Sequence, residues 1–309
     1  LQRSSDVSAE QLDLFLDSRE TTLANDVITT LCAHDCASAA QSISRLRAEA
    51  PAQRDLAAFE SLHAFLTLFL QSLREAGSSG LPPEVIATLR ELLETRVTLL
   101  ATVLGNAAGG FLRRFWLLLA RAADQPFDPD RPELHAAALF LRAQAYDELD
   151  AAANSIVGHS TQRAVLRWRA IGRYRLVGLK GARLPIFLLA WHAADAFPDL
   201  LKTLGDSLLD QDWQAFEADV EELDASWFPA WYFVAHPESA SDLGAQLAQD
   251  HADARAEIPA RQACLLLPRI LDLEKHGHSR VLVDLRARLR ATDARFFAAY
   301  MRSRSVHHR

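Results

Sequence analysis

The sequence predicts an all-α protein of antiparallel helical hairpins, stacked as an irregular α-solenoid or gathered into a multi-helix bundle. Three observations carry this. Apolar residues recur at helical spacing along nearly all of the 309 residues. No stretch shows the sustained alternation that specifies a half-buried strand. The periodic segments run for about 10 to 20 residues and are joined by short loops, which fits antiparallel neighbours.

Taken in order, Ser8 with Gln11 three residues later makes a capping box ahead of Leu12, Phe15 and Leu16 and opens the first helix. A second helix turns over near Ala33 to Asp35. A third runs from Ala37 through Ile43 and Leu46 to Pro51, which cannot continue a helix. The fourth, Asp55 to Leu73, is apolar on a wide face and ends at the Gly77–Gly80 loop. Pro82 and Pro83 open the clearest amphipathic segment, with Ile86, Leu89, Leu93, Val97, Leu100 and Leu104 on one stripe. Gly105, Gly109 and Gly110 then break the chain, and Phe111, Phe115, Trp116 and Leu119 continue in another helix.

The run from Gln125 to Pro132 holds three prolines and two aspartates, a composition that favours turns over helix. It is the best linker, and the sequence therefore divides into a helical region 1–124, a linker 125–132 and a helical region 133–309. Helices are expected at 132–156, 160–177, 184–197, 199–208, 213–223, 229–235, 239–256, 259–275, 279–289 and 292–302. The last places Phe296, Phe297, Tyr300 and Met301 on one side, where it could cap the array or dock on a second copy, making a homo-oligomer.

The stretch His34-Asp-Cys-Ala-Ser-Ala-Ala40 has Asp at the turn and small residues packing the helix that follows, with Pro51 downstream. It resembles the helix-turn-helix junction of a tetratricopeptide repeat, a likeness that covers about one repeat unit, from Glu20 to Arg54. Gln211-Asp-Trp-Gln-Ala-Phe216 is similar but has Phe216 where the family prefers Ala. Residues 138–156, with Tyr146 late in a helix, are a third and poorer likeness. These sites are unevenly spaced and no sustained 34-residue period runs through the chain. The resemblance implies a concave helical surface that holds a partner protein or peptide.

With 50% apolar and 24% charged residues and only 12 Gly and 12 Pro, the chain is neither fibrous nor disordered. At this length a folded chain buries about 75% of its unfolded surface, so no disulfide or metal is needed for stability. The three cysteines, Cys32, Cys36 and Cys264, give no disulfide framework and suit a reducing, cytoplasmic setting. The longest apolar stretch, Leu184 to Phe197, is 14 residues, short of the ~20 needed to span a bilayer. Neither a membrane segment nor a secretory signal is expected.

Charge is segregated. Residues 151–194 hold no Asp or Glu, whereas Arg163, Arg167, Arg169, Arg173, Arg175, Lys180 and Arg183 give +7; residues 195–257 carry −13, residues 258–309 carry +7, and the net charge is −7. The basic block is either compensated internally, with the acidic helices from Asp206 to Asp224 beside it, or it binds phosphate, nucleic acid or an acidic partner segment. On one helix its arginines fall on different faces among Val165, Leu166, Ile171, Leu176 and Val177. Some guanidinium groups must therefore be enclosed and met by carboxylate or phosphate. Trp168 and Tyr174 either stack on a base or sit in the core. The acidity of the whole chain argues against a dedicated nucleic-acid binder.

Catalytic motifs are weak. Gly158-His-Ser160 starts like a nucleophile elbow, but Gln162 stands where the second Gly is required, and Gly277-His-Ser279 repeats the triplet before another helix. Ser in both places is a natural helix N-cap. Cys32, His34 and Cys36 are metal-ligand types lacking a second pair, and His192 with Asp195 fits an oriented imidazole or a plain surface pair. Asp210, Asp212, Glu217, Glu221 and Glu222 lie on a helix whose Trp213, Phe216, Val220 and Leu223 face inward, so these acids face water. Trp227, Phe228, Trp231 and Tyr232 form the densest aromatic cluster, either core or a candidate interface. The sequence thus points to a non-catalytic protein-binding scaffold or regulatory adaptor with no cofactor or metal. The alternative is a protein that binds an anion or nucleic acid through Arg163 to Arg183.

Overall fold

The computed structural model describes residues 6–220, 222–249, 258–277 and 279–307, apart from the side chains of 6–18, 306 and 307. Among these residues every regular element is a helix, as the periodicity requires. The chain forms two compact units, Leu1–Ala145 and Tyr146–Arg309.

In the first unit α1 (Asp6–Cys32), α2 (Cys36–Glu49) and α3 (Leu56–Ala76) pack pairwise. The two helices expected before residue 35 are one, and the Ser8–Gln11 capping box lies outside the described side chains. The α1–α2 turn closes as a Schellman motif. The Asp35 N–H donates to Thr30 O (3.2 Å) and the His34 N–H to Leu31 O (2.9 Å), with His34 in the left-handed region at φ 59°. Asp35 then caps α2, its Oδ1 accepting from the N–H groups of Ala37 and Ser38, both at 3.1 Å.

α4 (Pro83–Leu92) runs on through a π turn at Leu93–Val97 into α5 (Thr98–Leu100) and a 3₁₀ segment, Ala101–Ala107. The wider turn shifts the expected stripe by one residue: Ile86, Leu89, Leu93, Val97 and Leu104 are buried, but Ala101 takes the place given to Leu100. Gly105 turns the chain at φ 55°, whereas Gly109 and Gly110 lie inside α6 (Ala108–Ala122) and do not break it. α7 (Ala136–Arg142) is capped by His135, whose Nδ1 accepts from the Ala137 N–H at 3.1 Å. It ends in a second Schellman turn, Ala145 N–H to Phe140 O at 3.0 Å and Gln144 N–H to Leu141 O at 3.1 Å, which interrupts the helix expected over 132–156.

The division between units falls at 145/146 and not in the 125–132 segment. That segment cannot be helical, but it still packs on the first unit. Gln125 Nε2 donates to Leu81 O, and Arg131 reaches Glu84 at 3.8 Å. Among the described residues one helix, Leu56–Ser79, is long and apolar enough to cross a membrane, where the sequence led to the expectation of none. In this fold its Phe59, Leu62, Leu66 and Phe69 are buried in the first unit, and its Glu60 pairs with Arg47 at 2.6 Å.

The second unit holds α8 (Tyr146–Asn154), α9 (Arg163–Val177), α10 (Leu179–His192), α11 (Phe197–Leu204), α12 (Ser207–Asp219), α13 (Phe228–Ala235), α14 (Ala240–Gln249), α15 (Pro259–Lys275), α16 (Arg280–Thr292) and α17 (Ala294–His307). Tyr146 opens α8 and does not lie late in a helix. The junction expected at Gln211–Phe216 lies inside α12, because Asp206 caps that helix upstream, its Oδ1 accepting from the N–H groups of Leu208 and Leu209 at 3.0 Å. Ser279 caps α16, accepting from the Leu282 N–H at 3.1 Å, but Ser160 does not cap α9, which follows Gln162. Of the helix expected over 239–256, residues 250–256 lie outside the described residues. α9 pairs with α10 and α8, while α13, α14 and α16 pack on α15, around a core that includes Phe187, Phe197, Phe216, Phe228 and Phe233.

Candidate functional site

The first unit carries an open cleft of about 690 Å³ bordered by the π turn, the start of α6 and the end of α7. Each border has a local cause. The π turn places Glu94 at the rim, and such turns recur at functional sites. At the start of α6, Gly109 and Gly110 are exposed, and a Cβ added to either meets no atom within 4 Å. The helix backbone is therefore bare toward the cleft, with no packing reason for glycine. Further along α6, Leu112 is half-buried and Trp116 is buried at 7% exposure on the same lining.

Three guanidinium groups organise the polar side. Arg142 Nη2 donates to Glu94 Oε1 at 2.8 Å, and Arg90 Nη1 donates to Glu94 Oε2 at 3.1 Å. Arg113 Nε donates to the Ala143 carbonyl at 2.9 Å, tying α6 to the α7 turn. Gln144 stands exposed in that turn with φ 55°. The opposite face of α6 is fixed by His34, whose ring lies 5.2 Å from that of Phe111 and 4.3 Å from that of Phe115. His34 Nε2 donates to Phe111 O at 3.3 Å. Burial, with the Arg114 charge second, pushes its pKa down to about 4, against the opposing pull of the Phe111 hydrogen bond.

The residues singled out in the sequence are dispersed. Arg163 pairs with Asp195 at 2.7 Å, Arg167 donates to Thr203 Oγ1 at 3.3 Å, and Arg173 forks onto Asp150. Arg183 donates to Ser239 Oγ at 3.3 Å and stacks 5.4 Å above Tyr232. Arg169 is enclosed in the second unit, the fate expected for part of this block, while Arg175 and Lys180 are exposed. The carboxylates that meet Arg163 and Arg173 lie outside the 206–224 segment expected to compensate them. Trp227, Phe228, Trp231 and Tyr232 are all buried, so the aromatic interface is not on the surface of this unit. Its rings pack on one another and on Phe216 and Phe296. In α17, Phe296 and Tyr300 are likewise buried, and Met301 is exposed.

Asp195 turns to Arg163 and away from an acid–base role with His192, which burial and then the Arg261 charge hold below its ordinary pKa. Among the described residues, no group of three or more His, Cys, Asp and Glu side chains is placed to hold a metal ion. A pair not foreseen from the sequence is His236–Asp212, Nε2 to Oδ1 at 2.9 Å, beside the Tyr232 ring at 4.4 Å. The other nitrogen of His236 faces Glu238 Oε1 at 3.7 Å. The imidazole is thus held between two carboxylates, Asp212 and Glu238.

The cleft has no contiguous signature in the sequence, since Glu94, Arg113, Arg142 and Gln144 come from three separate segments. The available signal was the Gly109–Gly110 pair ahead of Arg113, which the sequence alone presents as a chain break. Comparison with family models, curated proteins and solved structures gives no match to this chain.

Proposed function

We propose that this chain is a non-catalytic helical binding protein that takes a segment of a partner protein in the cleft between the π turn, α6 and α7. The observation that carries the reading is the cleft itself. About 690 Å³ of open space is lined by bare helix backbone at Gly109 and Gly110, an apolar floor at Leu112 and Trp116, and charged side chains at its rim. This mixture of backbone, aromatic and Arg groups is what peptide-binding surfaces offer. The tetratricopeptide-like junction at His34–Ala40 fits the same use of helical hairpins as a recognition surface. A reducing, cytoplasmic setting agrees with the sparse cysteines.

The alternative, an anion or nucleic acid on Arg163 to Arg183, has less support. Arg163 and Arg173 already meet Asp195 and Asp150, and Arg183 meets Ser239. The reading is tested by photo-cross-linking in the native cell, with benzoylphenylalanine placed at Leu112 in the cleft or at Val157, which is 95% exposed in the second unit. A protein adduct formed from position 112 and not from 157, and surviving nuclease, supports the cleft. Equal adducts from both positions, or none from 112, overturn it.

A further inference from the structure

The cleft holds more positive charge than its own carboxylate can answer. Of the residues lining it, Glu94 is the acid, and Arg113 and Arg142 are the bases. Arg90, behind the rim, takes the second oxygen of the same carboxylate. One carboxylate thus serves two guanidinium groups while a third spends its Nε on a backbone carbonyl. The Arg142 side chain is 61% exposed, and a guanidinium has five N–H donors, of which the bond to Glu94 uses one. A fork of this kind is suited to a carboxylate approaching from solvent, and two parallel bonds add direction as well as strength. Beside it, the half-buried Leu112 and the buried Trp116 give an apolar strip on the same lining.

We propose that the partner segment is an extended peptide in which carboxylate side chains alternate with apolar ones. The carboxylates engage Arg142 and Arg113, the apolar residues lie along Leu112 and Trp116, and Glu94 acts as a built-in competitor that holds Arg142 until the partner arrives. This rests on the cleft being the binding site. Charge complementarity then selects the occupant, and Glu94 sets its affinity from within the chain. The consequence is specific: removing an acid from the cleft tightens binding, and removing a base weakens it.

The test uses the full chain and two fluorescein-labelled probes, a short peptide alternating Glu with Leu and its counterpart with Gln in place of Glu, followed by fluorescence anisotropy. The acidic probe should bind and the Gln probe should not. Arg142→Ala should weaken the acidic probe by about tenfold, the loss of one charge-assisted bond, and Glu94→Gln should tighten it by a similar factor. Arg113→Ala should also weaken it; because Arg113 holds the α7 turn, Arg142→Ala is the variant that decides if Arg113→Ala fails to fold. Glu84→Gln, an exposed acid outside the cleft lining, serves as the control for general charge and should leave affinity unchanged. Equal binding of both probes, no binding of either, no effect of Arg142→Ala, or tightening by Glu84→Gln equal to that by Glu94→Gln would each overturn the inference. A partner cross-linked at position 112 together with failure of the acidic probe removes the acidic specificity and leaves the binding role standing.

Discussion

Arg173 lays its guanidinium on the carboxylate of Asp150, Nε to Oδ1 and Nη2 to Oδ2, both at 3.0 Å. The two side chains are about one-third and one-fifth exposed, and they join α9 to α8. Arg173 is thereby spent within the fold. Asp150→Ala should destabilise the protein by about 1–3 kcal/mol, because it removes a two-bond charged contact and leaves a half-buried cation. Arg163→Ala should change stability by no more than about 0.5 kcal/mol, since its pair with Asp195 is mostly solvated. Urea unfolding of both variants checks this, and equal losses would contradict it.

His34 and Gln144 both occupy the left-handed region of a Schellman turn, and glycine there should act in opposite directions. Gln144 is exposed, so Gln144→Gly relieves backbone strain at no packing cost and should stabilise by up to about 1 kcal/mol. His34→Gly removes a ring packed on Phe111 and Phe115 and should destabilise by about 2 kcal/mol or more, the burial term outweighing the strain. Thermal melts of the two variants should shift in opposite senses.

The depressed pKa of His34 ties stability to pH. Its imidazole titrates near 6.5 when unfolded and at about 4 when folded, so the unfolded chain binds the proton more readily. Stability is full above the unfolded value and falls as pH drops from about 6.5 to about 4, by on the order of 3 kcal/mol from this group. His34→Asn tolerates the left-handed backbone and cannot titrate. The wild type should lose more stability than this variant between neutral pH and pH 4, and parallel pH curves would refute the assignment.

Glu274 is the hinge of a polar network in the second unit. It accepts from Arg286 Nη2 at 2.8 Å and from the Tyr300 hydroxyl, and Arg304 Nε lies 3.8 Å away. Burial, then the bond to Glu274, pushes the Tyr300 pKa up to about 12. Glu274→Ala leaves two guanidinium groups without their carboxylate and should cost about 3 kcal/mol. It should also lower the ionisation midpoint assigned to Tyr300 by the absorbance difference from Tyr300→Phe.

A last variant probes close helix packing. A Cβ on Gly244 of α14 would lie 2.6 Å from the ring Cγ of Pro268 in α15, and a proline ring cannot swing away. Gly244→Ala gains about 1 kcal/mol of helix propensity, but the clash costs about 1–3 kcal/mol. The net result should be destabilisation measured in urea, and a stabilised variant would show that the two helices can part.

The helix over Pro259–Lys275 and the turn at His34–Asp35 were legible because capping, proline and apolar spacing are local signals. The start of α12 was not, since Asp206 outcompetes the later Asp212 as a cap and both look alike in sequence. The linker expected at 125–132 failed for a similar reason: prolines forbid a helix but do not forbid packing, and Gln125 and Arg131 bind this segment to the first unit. Of the cleft, only the Gly109–Gly110 pair left a mark in the sequence, because Glu94, Arg113 and Arg142 are brought to one lining only by the π turn and the turn after α7.

From the order of residues alone it follows that the chain is helical, where most of its helices break, and that some arginines of the basic block must be enclosed. These follow from one-dimensional periodicity and from the helix's inability to turn every side chain outward. Helix packing set which carboxylate each guanidinium meets, made Trp227, Phe228, Trp231 and Tyr232 core, and opened a cleft beside two bare glycines. Those outcomes depend on which helix face meets which. That choice is made by summed burial and pairing across residues far apart in the chain, and no local pattern records it.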